Sequence, residues 1–211
     1  MSGTEYLTVS LRLATVVVPV AVYFLILGLL NTRGHPQLLT GRRDFALLIV
    51  ALSPLFVLPV LGWLGVSGLT VVLVVAVVAG CIWLLAPREG VWVVYNLPQG
   101  MAYDVVARAL KAMGLGFERA ENGFRIPSQN ATVEISGFWL LCNVSVRLRG
   151  GEGLGRRFEE QLARTLASVR VEASPMAIAM LLVATGLLVA PLTLVAHRAG
   201  EIVRILTDLL Y

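Results

Sequence analysis

Residues 88–172 read REGVWVVYNLPQGMAYDVVARALKAMGLGFERAENGFRIPSQNATVEISGFWLLCNVSVRLRGGEGLGRRFEEQLARTLASVRVE. This is the only long part of the chain with the mixed composition of a water-soluble domain. Uncharged runs flank it at 13–32 and 45–87 on one side and at 173–196 on the other. Within it, 91–96 is rich in β-formers and is punctuated by Pro98 and Gly100. Positions 101–113 have helical period, with Val105, Val106, Ala109, Leu110 and Met113 on one face and the i,i+4 pair Asp104 and Arg108 on the other. Gly114 and Gly116 end that helix.

Four further pieces complete the domain. Residues 117–120 and 124–126 flank Glu121, Asn122 and Gly123, and Asn-Gly between apolar runs predicts a hairpin. A turn at 128–130 leads into 131–136, where Ala131, Val133 and Ile135 alternate with Thr132, Glu134 and Ser136. Residues 138–149 also alternate, with Leu140, Cys142, Val144, Val146 and Leu148 pointing one way and Trp139, Leu141, Asn143, Ser145, Arg147 and Arg149 the other. After a Gly-rich turn, Leu154, Phe158, Leu162, Leu166 and Val169 form the apolar stripe of a second helix. Short turns between strands imply a mainly antiparallel sheet. Two helices with one apolar face each cover one side of it. The domain is therefore expected to be a small α+β two-layer sandwich. Trp139 and Leu141 fall on the sheet's open face in this reading, Trp92 and Val94 share it, and such an apolar patch marks a contact surface.

The flanking runs are membrane spans by length. About 20 apolar residues cross a bilayer's hydrocarbon core. Residues 13–30 supply one span, with Pro19 as a kink. The 43 uncharged residues at 45–87 are too many for one crossing. Gly62, Gly65, Ser67 and Gly68 divide them into spans at about 45–64 and 69–86. Between the first two spans, 31–44 reads as a polar loop, with Thr40 or Asp44 as the cap of the next helix. Residues 173–197 supply a fourth span, and 198–211 an amphipathic helix that lies on the bilayer or on the protein's own spans. The fold class is an α-helical integral membrane protein of four spans, 1–87 and 173–197, with the α+β domain inserted at 88–172.

Composition agrees. Of 211 residues, 57% are hydrophobic and 14% charged, against roughly 25% charged in soluble domains. The net charge of +4 comes from scattered residues, all Arg except Lys111. That scatter argues against nucleic acid and for membrane orientation. Loop 31–44 holds three Arg and one acid, and Arg88 and Arg170 flank the soluble domain; with two spans between them, this places both inside and both termini outside. The Arg-rich usage points to a GC-rich bacterial genome and hence to a bacterial inner membrane. Cys81 and Cys142 lie in different regions, one in a span and one in the domain, so neither a disulfide nor a metal site is expected.

No catalytic motif is present, and no cofactor is expected. His35 and His197 fall on opposite membrane faces in this topology and do not share a metal. The nearest approach to a ligand loop is 150–157, where Gly151, Gly153 and Gly155 precede Arg156 and Arg157 at a helix start. It lacks the GK[ST] ending of a phosphate loop, so a flexible turn whose Arg pair meets solvent or headgroups is the preferred reading. Thr15, Ser53 and Thr185 are the only obvious mid-span polar side chains, too few for a conduit. Two small-residue pairs, Ala76 with Gly80 and Gly186 with Ala190, offer surfaces for close helix contact. These features favour a non-enzymatic accessory or assembly subunit whose partners are the bilayer and other membrane subunits. A small transporter or channel component is the alternative, and a membrane enzyme the third.

Overall fold

The computed structural model describes residues 3–65, 67–87, 89–138, 143–196 and 200. The expectations for Trp139, Leu141, Cys142 and the amphipathic segment 198–211 lie outside these residues, Gly200 apart. The chain is mostly helical, with one antiparallel sheet.

Helix α1 spans Gly3–Asn31, α2 Gly41–Leu64 and α3 Gly68–Leu85. Each contains a stretch long and apolar enough to cross a membrane: Ala14–Asn31 in α1, and α2 and α3 over their whole lengths. Their apolar residues surround the helix rather than forming one stripe, as expected of segments solvated by hydrocarbon. Thr40 is the cap of α2, its hydroxyl accepting from the Arg43 N–H at 3.4 Å. Gly65, at φ 78°, ends α2. Ser67 then caps α3 by accepting from the Thr70 N–H at 3.1 Å. Of the residues expected to mark the turn, Gly65, Ser67 and Gly68 stand at the helix ends, whereas Gly62 is helical within α2. A further apolar helix, α6 (Pro175–Ala196), packs along α1. Helix α2 packs on α1 and on α3.

Between α1 and α2 the structure differs from the expected polar loop. Gln37–Thr40 is a strand, β1, and it joins the sheet of the downstream domain. Four residues bounded by Pro36 and Gly41 are too few to show a period, which is why sequence alone left them as loop. The remaining strands are β2 (Val91–Tyr95), β3 (Glu118–Ala120), β4 (Gly123–Ile126), β5 (Ala131–Phe138) and β6 (Asn143–Arg149). The sheet order is β1-β2-β6-β5-β4-β3, every pairing antiparallel.

The β3–β4 hairpin forms where Asn-Gly predicted it. Ala120 pairs with Gly123, so Gly123 opens β4 rather than sitting inside the loop. A Cβ there would collide with the Val133 carbonyl oxygen, which restricts the position to glycine. The long alternating stretch at 138–149 is not one strand. Phe138 pairs with Asn143, so β5 and β6 are separate antiparallel partners.

Helices α4 (Gln99–Ala112) and α5 (Leu154–Ala167) cover one face of the sheet. The expected stripes hold: Val105, Val106, Ala109 and Leu110 of α4 and Leu154, Phe158, Leu162 and Leu166 of α5 are all buried. They meet Ala131, Val133 and Ile135 of β5 and Val144, Val146 and Leu148 of β6. Each such large side chain contributes roughly 1.5–3 kcal/mol by leaving water. One face assignment is overturned. Trp92 and Val94 belong to this core, not to the open face, because Trp92 pairs with Val146 and Val94 with Val144. The Trp92 ring lies 5.4 Å from that of Phe158.

Candidate functional site at the junction of helices and sheet

Three sets of hydrogen bonds tie the apolar helices and the segment after α1 to the domain. The first lies at the end of α1. The Asn31 amide donates to the Leu27 carbonyl at 3.0 Å, and its oxygen accepts from the Asn96 N–H at 2.7 Å. Asn96 donates its own amide to the Arg33 carbonyl at 2.7 Å. Its positive φ of 54° is one that asparagine tolerates better than most residues. The second is Tyr95, whose hydroxyl donates to Oδ1 of Asp44 in the first turn of α2. Burial, then the neighbouring Asp44 carboxylate, push the Tyr95 phenol far above its ordinary value. The third is His35. Its Nδ1–H donates to the Val169 carbonyl at 3.0 Å, since a carbonyl can only accept. The Val171 N–H donates to the Gly34 carbonyl at 3.2 Å beside it.

Next to these tethers lies a cleft of about 630 Å³. The start of α2 supplies Thr40, Gly41 and Arg42, and the end of α3 supplies Trp83. The link into β2 supplies Glu89 and Gly90, and α5 supplies Gly155, Arg156 and Glu159. Gly41 packs closely on β2, where a Cβ would come within 3.1 Å of the Val91 carbonyl oxygen. Arg42 and Glu89 are exposed, and Trp83 is 75% exposed. Arg156 reaches Glu160 at 3.4 Å, a mostly solvated pair of little energetic weight.

The expected ligand loop is divided by this geometry. Gly155 and Arg156 line the cleft, whereas Gly151, Gly153 and Arg157 do not. Gly151 and Gly153 serve the turn, with φ of 66° and 77°. The Leu154 N–H donates to the Gly151 carbonyl at 3.0 Å, closing it. A Cβ on Gly151 would press on Ala131 and Leu154, so this glycine backs onto the core.

The small-residue pairs sit apart from the cleft. Ala76 and Gly80 are exposed on α3, and a Cβ at Gly80 or Gly186 would meet nothing within 4 Å. Ala190 is helical within α6. The close helix approach inside the chain occurs elsewhere. At Gly28 of α1 a Cβ would come within 2.7 Å of the Leu181 side chain, with Ala177 and Ala184 buried on the same α6 surface. With Phe24 four residues before it and Thr32 four after, Gly28 forms no Gly or Ala pair that would single it out. Ser53 and Thr185 bond within their own helices, to the Val50 and Leu181 carbonyls. Among the described residues no group of His, Cys, Asp and Glu is placed to hold a metal.

No known protein family, curated protein or solved structure matches this chain. The site therefore has to be read from its own geometry.

Proposed function

We propose that this chain is a non-enzymatic accessory or assembly subunit of a bacterial inner-membrane complex. In this reading α6 is a fourth span beside α1. The sheet domain and β1 share the cytoplasmic side, and both termini lie outside. The pairing of β1 with β2 supports a common side for the 31–44 segment and the domain.

The observation that carries the subunit reading is the bare flank of α3. Its principal neighbour is α2, and Leu69, Val72, Trp83 and Leu84 are each at least 65% exposed. Ala76 and Gly80 are both exposed on the same helix, so another helix can approach its backbone closely. The local bonding of Ser53 and Thr185 gives no support to a polar conduit.

The test is co-purification of the full chain in mild detergent, read by mass spectrometry. Gly80→Leu should deplete co-purifying membrane proteins while the chain remains expressed and inserted. A chain that purifies alone and carries an ion or solute flux in liposomes would refute the subunit reading.

A further inference from the structure

We infer that the cleft between the α2–α3 ends and α5 seats the headgroup of a zwitterionic phospholipid with a primary ammonium. This rests on the membrane placement proposed above, because the ends of α2 and α3 then set the cleft at the level of the headgroups.

Charge balance selects the ligand class. Two guanidinium groups, Arg42 and Arg156, and two carboxylates, Glu89 and Glu159, line one cavity. Arg42, Glu89 and Glu159 form no ion pair among the described residues, and Arg156 reaches Glu160 through Nε in an exposed pair. Its remaining N–H donors are available to a phosphate. The backbone at Thr40, Gly41 and Arg42 adds the positive end of α2, a 24-residue helix. The two guanidinium groups and the start of α2 thus suit a phosphodiester. The carboxylates would repel a purely anionic headgroup. They suit an ammonium that donates N–H bonds, which a choline cannot do. Trp83, exposed in the last turn of α3, is the aromatic side chain that favours the boundary between water and hydrocarbon.

The experiment uses the purified full chain in detergent micelles. Phosphatidylethanolamine, phosphatidylcholine and phosphatidylglycerol with identical acyl chains are added separately, and retention is read by native mass spectrometry. Phosphatidylethanolamine should be retained about tenfold more strongly than either other lipid, the weight of one charge-assisted hydrogen bond. The double variant Glu89→Gln with Glu159→Gln should bring phosphatidylethanolamine down to the level of phosphatidylcholine. Arg42→Gln should weaken all three. Equal retention of the ethanolamine and choline lipids by the unaltered chain would overturn the inference, as would strongest retention of phosphatidylglycerol. Free phosphoethanolamine should fail to displace the lipid; displacement at equal concentration would assign the cleft to a soluble ligand instead. Release of the chain from membranes by alkaline carbonate would sink the membrane placement itself, a failure distinct from an inserted chain without lipid preference.

Discussion

The Asn96 N–H donates to Oδ1 of Asn31 at 2.7 Å, across 65 residues of sequence, with both residues at most 2% exposed. One side chain thereby joins the last turn of an apolar helix to the end of a central strand. The same Asn31 amide satisfies the Leu27 carbonyl, so both of its polar ends are used. Asn31→Ala would leave the buried Asn96 N–H without its partner. The expected cost is about 1–3 kcal/mol, the desolvation penalty of an unmet donor. Thermal unfolding in detergent should show a clearly lower midpoint, together with faster tryptic cleavage at Arg33. An unchanged midpoint would mean that the junction is not held by this bond.

Helices α1 and α6 approach closely at Gly28. Gly28→Leu has to displace Leu181 or push the helices apart, and overpacking of this kind costs about 1–3 kcal/mol. Gly80→Leu and Gly186→Leu enter open space and should leave the chain's own thermal midpoint unchanged. The three variants together separate internal packing from contacts with partners. A midpoint equally low for Gly80→Leu would place α3 in an internal contact.

Legibility in the sequence followed the length of each pattern. The stripes Val105–Val106–Ala109–Leu110 and Leu154–Phe158–Leu162–Leu166 repeat often enough to fix a period, and both proved to face the core. The three long apolar helices were equally plain from their uncharged runs. Strand β1 has four residues, and its evidence is a partner 52 or more residues away, which no local pattern can show. Trp92 and Val94 failed for a related reason. Alternation states which residues share a face, but only the register with Val146 and Val144 states which face is inside. The cleft was half visible, through Gly155 and Arg156, because its other wall comes from α2 and α3.

Alkaline pH should probe the bond between Tyr95 and Asp44. A phenol held above its ordinary value near 10 stays protonated in the folded chain while the unfolded chain ionises. The stability it contributes is full below about pH 10 and declines as pH rises further, because the unfolded state then loses its proton first. Tyr95→Phe removes this dependence. At neutral pH the variant should be less stable by about 1.5 kcal/mol, the low end for a bond to a carboxylate because Asp44 is only half-buried. The difference between the two proteins should narrow from pH 10 to 12 in chemical denaturation curves. A constant difference over that range would show that the Tyr95 phenol is not protected.

The domain core should fail without loss of the apolar helices. Leu162 is buried in the α5 stripe at 1% exposure, within the cluster that contains Phe158 and Trp92. Leu162→Asp places a carboxylate there with no cation to meet it, and an unpaired buried charge costs several kcal/mol. Arg164→Ala, two residues away on the exposed side of α5, should have little effect. The test belongs in the full chain, because a fragment of residues 88–172 would lack β1 and leave the outer edge of β2 unpaired. In detergent, Leu162→Asp should abolish the near-ultraviolet circular dichroism from the Trp92–Phe158 contact. Most of the far-ultraviolet helical signal should persist, because the main contacts of α1, α2, α3 and α6 are with one another, α2 touching β1 and β2 besides. Loss of both signals together would show that helices and domain unfold as one unit, coupled through Asn31, Asp44 and His35. An unchanged near-ultraviolet spectrum would mean that α5 does not cover the sheet as described.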